Sequence, residues 1–215
     1  MIKAVDPGVW LHSPMETNRV EAFSDGVFAV AITLLALDLH PGEGPTLGGQ
    51  LLQRGAVAHY AAYVVSFLII GIIWVNHHAV FRQIARVDRV LLFSNLVLLL
   101  FVAAIPFPTA LLAEHLTEPT NSHPAAFAYS AVMFLMGVSF GLLWWWAVRG
   151  GRLLERPIGR AEERVAIRRF GVGNVAYLAL MGVAWVSAPL TLAGHFVVAV
   201  YYVLDQLPSA REQAP

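Results

Sequence analysis

Six apolar stretches, each about the length of one membrane crossing, dominate this chain and leave few folds open to it. A helix needs roughly 20 mostly apolar residues to cross a hydrocarbon core of about 30 Å. Segments at about 19–38, 58–81, 90–113, 125–148, 170–188 and 190–207 meet that length. The last two form one run, divided at Ser187-Ala188-Pro189, because the run exceeds one crossing and proline is a natural break. The expected fold is therefore all-α: a polytopic membrane protein with six transmembrane helices. A segment 1–18 precedes the membrane domain 19–207, and a polar tail 208–215 follows it. The polar stretch Met1–Asn18 lacks the charge and cleavage pattern of a signal peptide, so the first span is expected to stay uncleaved.

Composition narrows the function. Only 13% of the residues are charged and 58% are hydrophobic, against about 25% charged in an ordinary soluble domain. Lys+Arg and Asp+Glu both number 14, a balance that excludes a basic nucleic-acid binder and an acidic disordered chain. With no cysteine, disulfide scaffolds, thiol catalysis and cysteine-ligated zinc are excluded too.

Orientation follows from the positive charges. Lys3, Arg19, Arg82, Arg86, Arg89, Arg149, Arg152, Arg156, Arg160, Arg164, Arg168, Arg169 and Arg211 flank the spans on one side, and Arg54 stands alone on the other. The split puts both termini in the cytoplasm and requires an even number of spans. Trp144-Trp145-Trp146, just before Arg149, reads as an interfacial aromatic anchor.

Polar residues inside spans are costly and so usually have a role. With a helix rise of about 1.5 Å per residue, Asp25 lies about 9 Å beyond Arg19, and His77, Asn95 and Asn174 lie at similar depth in their own spans. Ser24, Asn76 and Ser94 join that level. Arg19 and Asp25 are about 120° apart round the helix, so each should meet a neighbouring helix rather than the other. The layer reads either as interhelical hydrogen bonding that fixes packing or as a proton or ion relay through Asp25 and His77. His77-His78 suggests a metalloenzyme only weakly. His40, His59, His115, His123 and His195 lie toward the outer face, leaving no second cluster to complete a metal site. Neither a metal nor enzymatic activity is expected. Val30, Thr33 and Leu37, spaced i, i+3, i+7, share one face of the first span; periodicity alone makes that a packing or lipid-facing stripe. A single amphiphilic span among six offers no channel within one chain, which points to a homo-oligomer.

Arg19-Val20-Glu21-Ala22-Phe23-Ser24-Asp25 matches the R-x-x-x-F-S-D signature of the transmembrane protein 175 family of potassium channels, and the run Gly26–Asp38 resembles that family's first helix. Trp74-Val75-Asn76-His77-His78 and Ser94-Asn95 are similar to its second and third helices. The resemblance implies a prokaryotic plasma-membrane protein, multi-pass, assembled as a homotetramer with first helices around the pore. It implies conduction of potassium without a T-V-G-Y-G carbonyl filter, with no cofactor beyond the permeant ion. By the same resemblance Val30 forms the narrowest layer, and Thr33 and Leu37 form further pore layers. Arg19, Phe23, Ser24, Asp25, Trp74, His77 and Asn95 then hold the helices together rather than line the pore. Val30 departs from the family's usual Ile or Leu, which implies a wider or leakier neck. In a tetramer, a ring of apolar side chains can close a pore by dewetting, and four Asp38 carboxylates at the outer mouth would concentrate cations. The alternative is a proton-coupled secondary transporter using Asp25 and His77, against which stands the lack of a Gly/Pro-interrupted span pair at midplane. A non-conducting scaffold is a third reading.

Overall fold

The computed structural model describes residues 17–149, 151–156 and 159–206, with side chains throughout except at 160–167, 169–170 and 205–206. The expected N-terminal segment as far as residue 16, with Lys3, and the polar tail with Arg211 lie outside the described residues. The elements are α1 (Thr17–Leu35), extended by a 3-10 turn at Ala36–Asp38, a short α2 (Leu47–Leu51), α3 (Arg54–Phe81), α4 (Arg89–Ala104), α5 (Pro106–His115), α6 (Ser122–Val148), α7 (Arg160–Val183) and α8 (Ala188–Gln206). Among the described residues, four helical rods are long and apolar enough to cross a membrane, namely 17–38, 54–81, 89–115 and 122–148, and shorter apolar helices cover 171–183 and 188–204. The chain is an all-helical integral membrane protein.

Several boundaries differ from the apolar pattern, each for a local reason. The third rod is interrupted between α4 and α5 because Pro106 has no N–H to offer the Val102 carbonyl, which accepts instead from Ile105 N at 3.2 Å. α7 begins at Arg160, ten residues ahead of the expected span at 170, since Arg, Ala and Glu are strong helix formers that carry a helix past the apolar run. The break between α7 and α8 covers residues 184–187 and ends within the expected Ser187-Ala188-Pro189: Ser187 Oγ accepts from Leu190 N at 3.3 Å and caps α8. Pro189 then sits in the first turn, where its missing N–H costs nothing.

α6 is the hub, packing on α4, α5, α7 and α8, while α3 packs on α1, α5 and α8. Phe28, Ile69, Leu91, Leu98, Ile105, Leu112, Met133 and Phe140 fill the centre. α1 lies at the edge, against α3, α4 and α5. At the arginine-rich end, the loop after α6 pairs with the loop after α3 through Ala85 N to Leu153 O (2.8 Å) and Glu155 N to Gln83 O (2.9 Å). At the other end Glu118, exposed as a loop residue should be, accepts from His115 Nδ1 (2.7 Å) and Asn121 Nδ2 (3.1 Å), which hold its carboxyl below the ordinary value.

Candidate functional site

α1 has two faces of opposite character. Val20, Ser24, Phe28, Ala31 and Leu35 are buried, with Leu35 at 2% exposure. At about 100° per residue, Phe23, Gly26, Val30, Thr33 and Leu37 form a stripe centred roughly 140° away from that buried set. All five are exposed, Val30 at 57% and Leu37 at 77%. The Thr33 hydroxyl lies 3.0 Å from the Ala29 carbonyl and 2.9 Å from the Val30 carbonyl. Its proton is committed to its own helix, and the oxygen lone pairs stay available on the open face. Asp38 ends the stripe's helix in the 3-10 turn, half-buried.

The buried face is held by a chain of hydrogen bonds across three helices. His77 Nε2 on α3 lies 2.9 Å from Asn95 Oδ1 on α4, so Nε2 carries the proton and donates. Asn95 Nδ2 donates to Ser24 Oγ on α1 at 3.0 Å, and Ser24 Oγ donates to the Val20 carbonyl at 2.8 Å. His77, Asn95 and Ser24 are 1%, 2% and 0% exposed, so without these bonds their polar atoms would be stranded. The His77 ring stacks on Phe81 (centroids 4.3 Å apart) and meets the Phe28 ring edge-on at 5.4 Å. A second strut ties α3 to α1: Trp74 Nε1 donates to Asp25 Oδ1 at 2.8 Å. Asp25 and His77 thus sit on separate hydrogen bonds rather than on one shared path.

Not every residue expected at this level joins the chain. Arg19 and Phe23 are exposed and border a groove against Arg89, Leu92, Phe93 and Leu96 of α4; Arg19 faces α4, not Asp25. Asn174 lies elsewhere, packed so closely on Gly137 of α6 that a Cβ there would collide with its Oδ1. The tryptophan triplet also divides. Trp144 is buried, Trp145 is exposed beneath the Arg149 guanidinium at 4.9 Å, and Trp146 Nε1 donates to Asp88 at 3.1 Å. Successive helical residues point about 100° apart, so one triplet cannot form a flat belt.

A second buried polar cluster has no counterpart in the sequence reading. Ser66 Oγ lies 2.8 Å from Thr109 Oγ1 and 2.9 Å from Tyr129 Oη, joining α3, α5 and α6. His195 is fully buried between helices, stacked on Tyr177 at 5.6 Å and edge-on to Tyr129 at 4.9 Å. Lone hydroxyls in apolar spans were the available signal, but their pairing depends on helix rotation that spacing alone does not give.

Comparison with known proteins bears on the same residues. The family model described as the endosomal/lysosomal potassium channel TMEM175 matches residues 19–106. A Streptomyces collinus protein named a potassium channel is 51% identical over 200 residues, covering 93% of this chain and 97% of its own. The crystal structure of a lysosomal potassium-selective channel TMEM175 homolog from Chamaesiphon minutus superimposes with a TM-score of 0.77 at 34% identity, covering 92% of this chain and 98% of that one. The Gallus gallus endosomal/lysosomal proton channel TMEM175 is 31% identical over 160 residues, which span 70% of this chain and 32% of that longer protein.

Proposed function

We propose a potassium-conducting pore from one premise: this chain belongs to the TMEM175 family. The protein is read as a potassium-selective cation channel with a hydrophobic constriction on α1 and no carbonyl filter. One observation carries the reading. The stripe Val30–Thr33–Leu37 is open on the single chain, while the bonded and buried groups of α1 turn the other way. A helix so divided has a surface left for its own copies.

A homotetramer in a prokaryotic plasma membrane brings four such stripes around an axis. A ring of four Val30 side chains is apolar, so the resting pore closes by dewetting, with valine leaving a wider neck than the family's usual Ile or Leu. Slight rotation or widening of α1 wets it. Thr33 offers hydroxyl oxygens whose protons are already spent on the helix, the donor arrangement a cation wants. Leu37 adds an apolar layer, and Asp38 supplies carboxylates that raise cation concentration at the outer mouth. Ser24, Asp25, Trp74, His77 and Asn95 support the pore helix from behind; Arg19 and Phe23 belong to the contact with the next copy. Potassium is the permeant species and no cofactor takes part.

Planar-bilayer recording of the purified protein under bi-ionic potassium and sodium tests this. Single-channel currents reversing toward the potassium potential are expected, together with a tetrameric mass in nanodiscs. A saturating, strictly coupled flux lost on replacing Asp25 or His77 would favour the transporter instead, and a monomeric mass would remove the pore.

A further inference from the structure

The arginines that orient the chain also build a site. A cavity of about 670 Å³ is lined by Arg86, Val87, Asp88, Trp146, Arg149, Arg152 and Leu153, within the ordinary range of about 300–1,000 Å³ for ligand pockets. Its walls come from the α3–α4 loop and from the end of α6 with its following loop. The two loops are fixed to each other by backbone bonds: Ala85 N and Arg86 N donate to Leu153 O at 2.8 and 3.2 Å, and Glu155 N donates to Gln83 O at 2.9 Å. Gly151 makes the turn between Arg149 and Arg152 with φ of 65°, a left-handed conformation that strains any residue bearing a Cβ. Arg86 and Arg149 are each held by a backbone bond of their own, from Arg86 N to Leu153 O and from Arg149 N to Trp145 O.

The charge is unbalanced. Asp88 is the one acidic lining residue, and its oxygens are taken by Leu91 N at 2.8 Å and by Trp146 Nε1 at 3.1 Å. Among the described residues the only ion pair is His115–Glu118 at the far end, so none of Arg86, Arg149 and Arg152 is paired with a described carboxylate, and the three guanidiniums outnumber Asp88 in the lining. Arg149 uses the face of its guanidinium on Trp145 and keeps its in-plane N–H groups as donors.

We infer that this cavity binds a phosphate group. Planar guanidinium forks match phosphate oxygens two at a time, and Val87, Leu153 and the Trp146 ring give an apolar wall for whatever carries the phosphate. Two sources share that chemistry: the headgroup of an anionic phospholipid in the leaflet that the positive-inside rule makes cytoplasmic, and a soluble phosphate ester.

Native mass spectrometry of the full chain, titrated with phosphatidylglycerol, phosphatidylcholine or glycerol 3-phosphate, tests the site and tells the sources apart. The wild type should hold phosphatidylglycerol over phosphatidylcholine if the source is lipid, or hold glycerol 3-phosphate itself if it is soluble. Replacing Arg86, Arg149 and Arg152 together with Gln should weaken that binding at least about tenfold, the equivalent of one charge-assisted bond. Arg168→Gln, an exposed arginine on α7, should leave it unchanged. If the triple variant does not assemble, Arg152→Gln alone is read the same way. The inference is overturned if the wild type shows neither the lipid preference nor the soluble adduct, if the arginine variants bind as the wild type does, or if Arg168→Gln loses as much.

Discussion

Asn95 is the residue through which the hold on α1 can be weighed. It is 2% exposed and makes side-chain bonds to both His77 and Ser24. Asn95→Leu keeps the branched side-chain shape and opens no cavity, and it removes two interhelical bonds, beside which the bulkier methyls and the stranded His77 donor add their own cost. Membrane-protein cycles put such bonds at about 0.6 kcal/mol each, with a maximum near 1.7, which sums to about 1.2 and at most about 3.4 kcal/mol here. The His77 side of that sum can be isolated by a double-mutant cycle. His77→Phe keeps the ring that packs on Phe81 and Phe28 and removes only the donor. The coupling between His77→Phe and Asn95→Leu should then be about 0.6 kcal/mol, measured by equilibrium unfolding of the purified protein in mixed detergent micelles. Ser24 is six residues from Val30, about 9 Å along the helix, so potassium preference should survive in any variant that still assembles. A coupling indistinguishable from zero would refute the bonded chain. Intact stability with altered proton-linked flux would instead revive the relay through Asp25 and His77.

Outcomes at four further positions of α1 and its 3-10 turn are expected. Val30→Asn should hydrate the neck, raising single-channel conductance and lowering the potassium-to-sodium permeability ratio read from reversal potentials. Leu35→Met, on the buried face, should change neither, being a volume-conserving swap, whereas Leu35→Ala should cost stability by about 2–5 kcal/mol on the scale of soluble cores. If Leu35→Met moves the reversal potential more than Val30→Asn does, the pore face has been assigned wrongly. Thr33→Val should shift the reversal potential more than it reduces current, because it exchanges the hydroxyl for a methyl at nearly constant shape. Asp38→Asn should lower conductance at ionic strengths near 10 mM and have little effect near 1 M, where the Debye length is only about 3 Å; an equal loss at both would place Asp38 outside the mouth.

The four long spans were legible because length and apolarity are what a bilayer demands of a helix, and both are read directly from composition along the chain. Their ends were less legible because a helix need not stop where the membrane does. Nothing in the apolar pattern forbids α7 from starting at Arg160, and the residues before 170 are good helix formers. Ser187-Ala188-Pro189 did mark the start of α8, through the serine cap rather than through breakage at proline. The short α2 is a five-residue turn of helix capped by Thr46, too brief to show a period. The pairing of residues 83–86 with 153–155 joins segments some seventy positions apart, and no local signal announces such a contact.

At the site, depth was legible and direction was not. Counting residues from the flanking arginines put Ser24, His77 and Asn95 at one level, and there they meet. The same count put Asn174 with them, although helix rotation sends it to α6. What the two faces of α1 have in common is the absence of a hydrophobic force between helices in lipid, where the tails are as apolar as leucine. A helix that must leave one face free of its own subunit cannot be held by burial alone, since lipid competes equally for every apolar contact on the other. Directional bonds escape that competition because lipid tails offer no partner. Ser24 and Asp25, bound to α4 and α3 respectively, supply that hold within the first half of α1, and the purely apolar contacts of Phe28, Ala31 and Leu35 continue it. The grip is therefore strongest near the arginine-rich end and weakens toward Asp38, so any rotation of α1 that widens the neck at Val30 should pivot about Ser24 and Asp25.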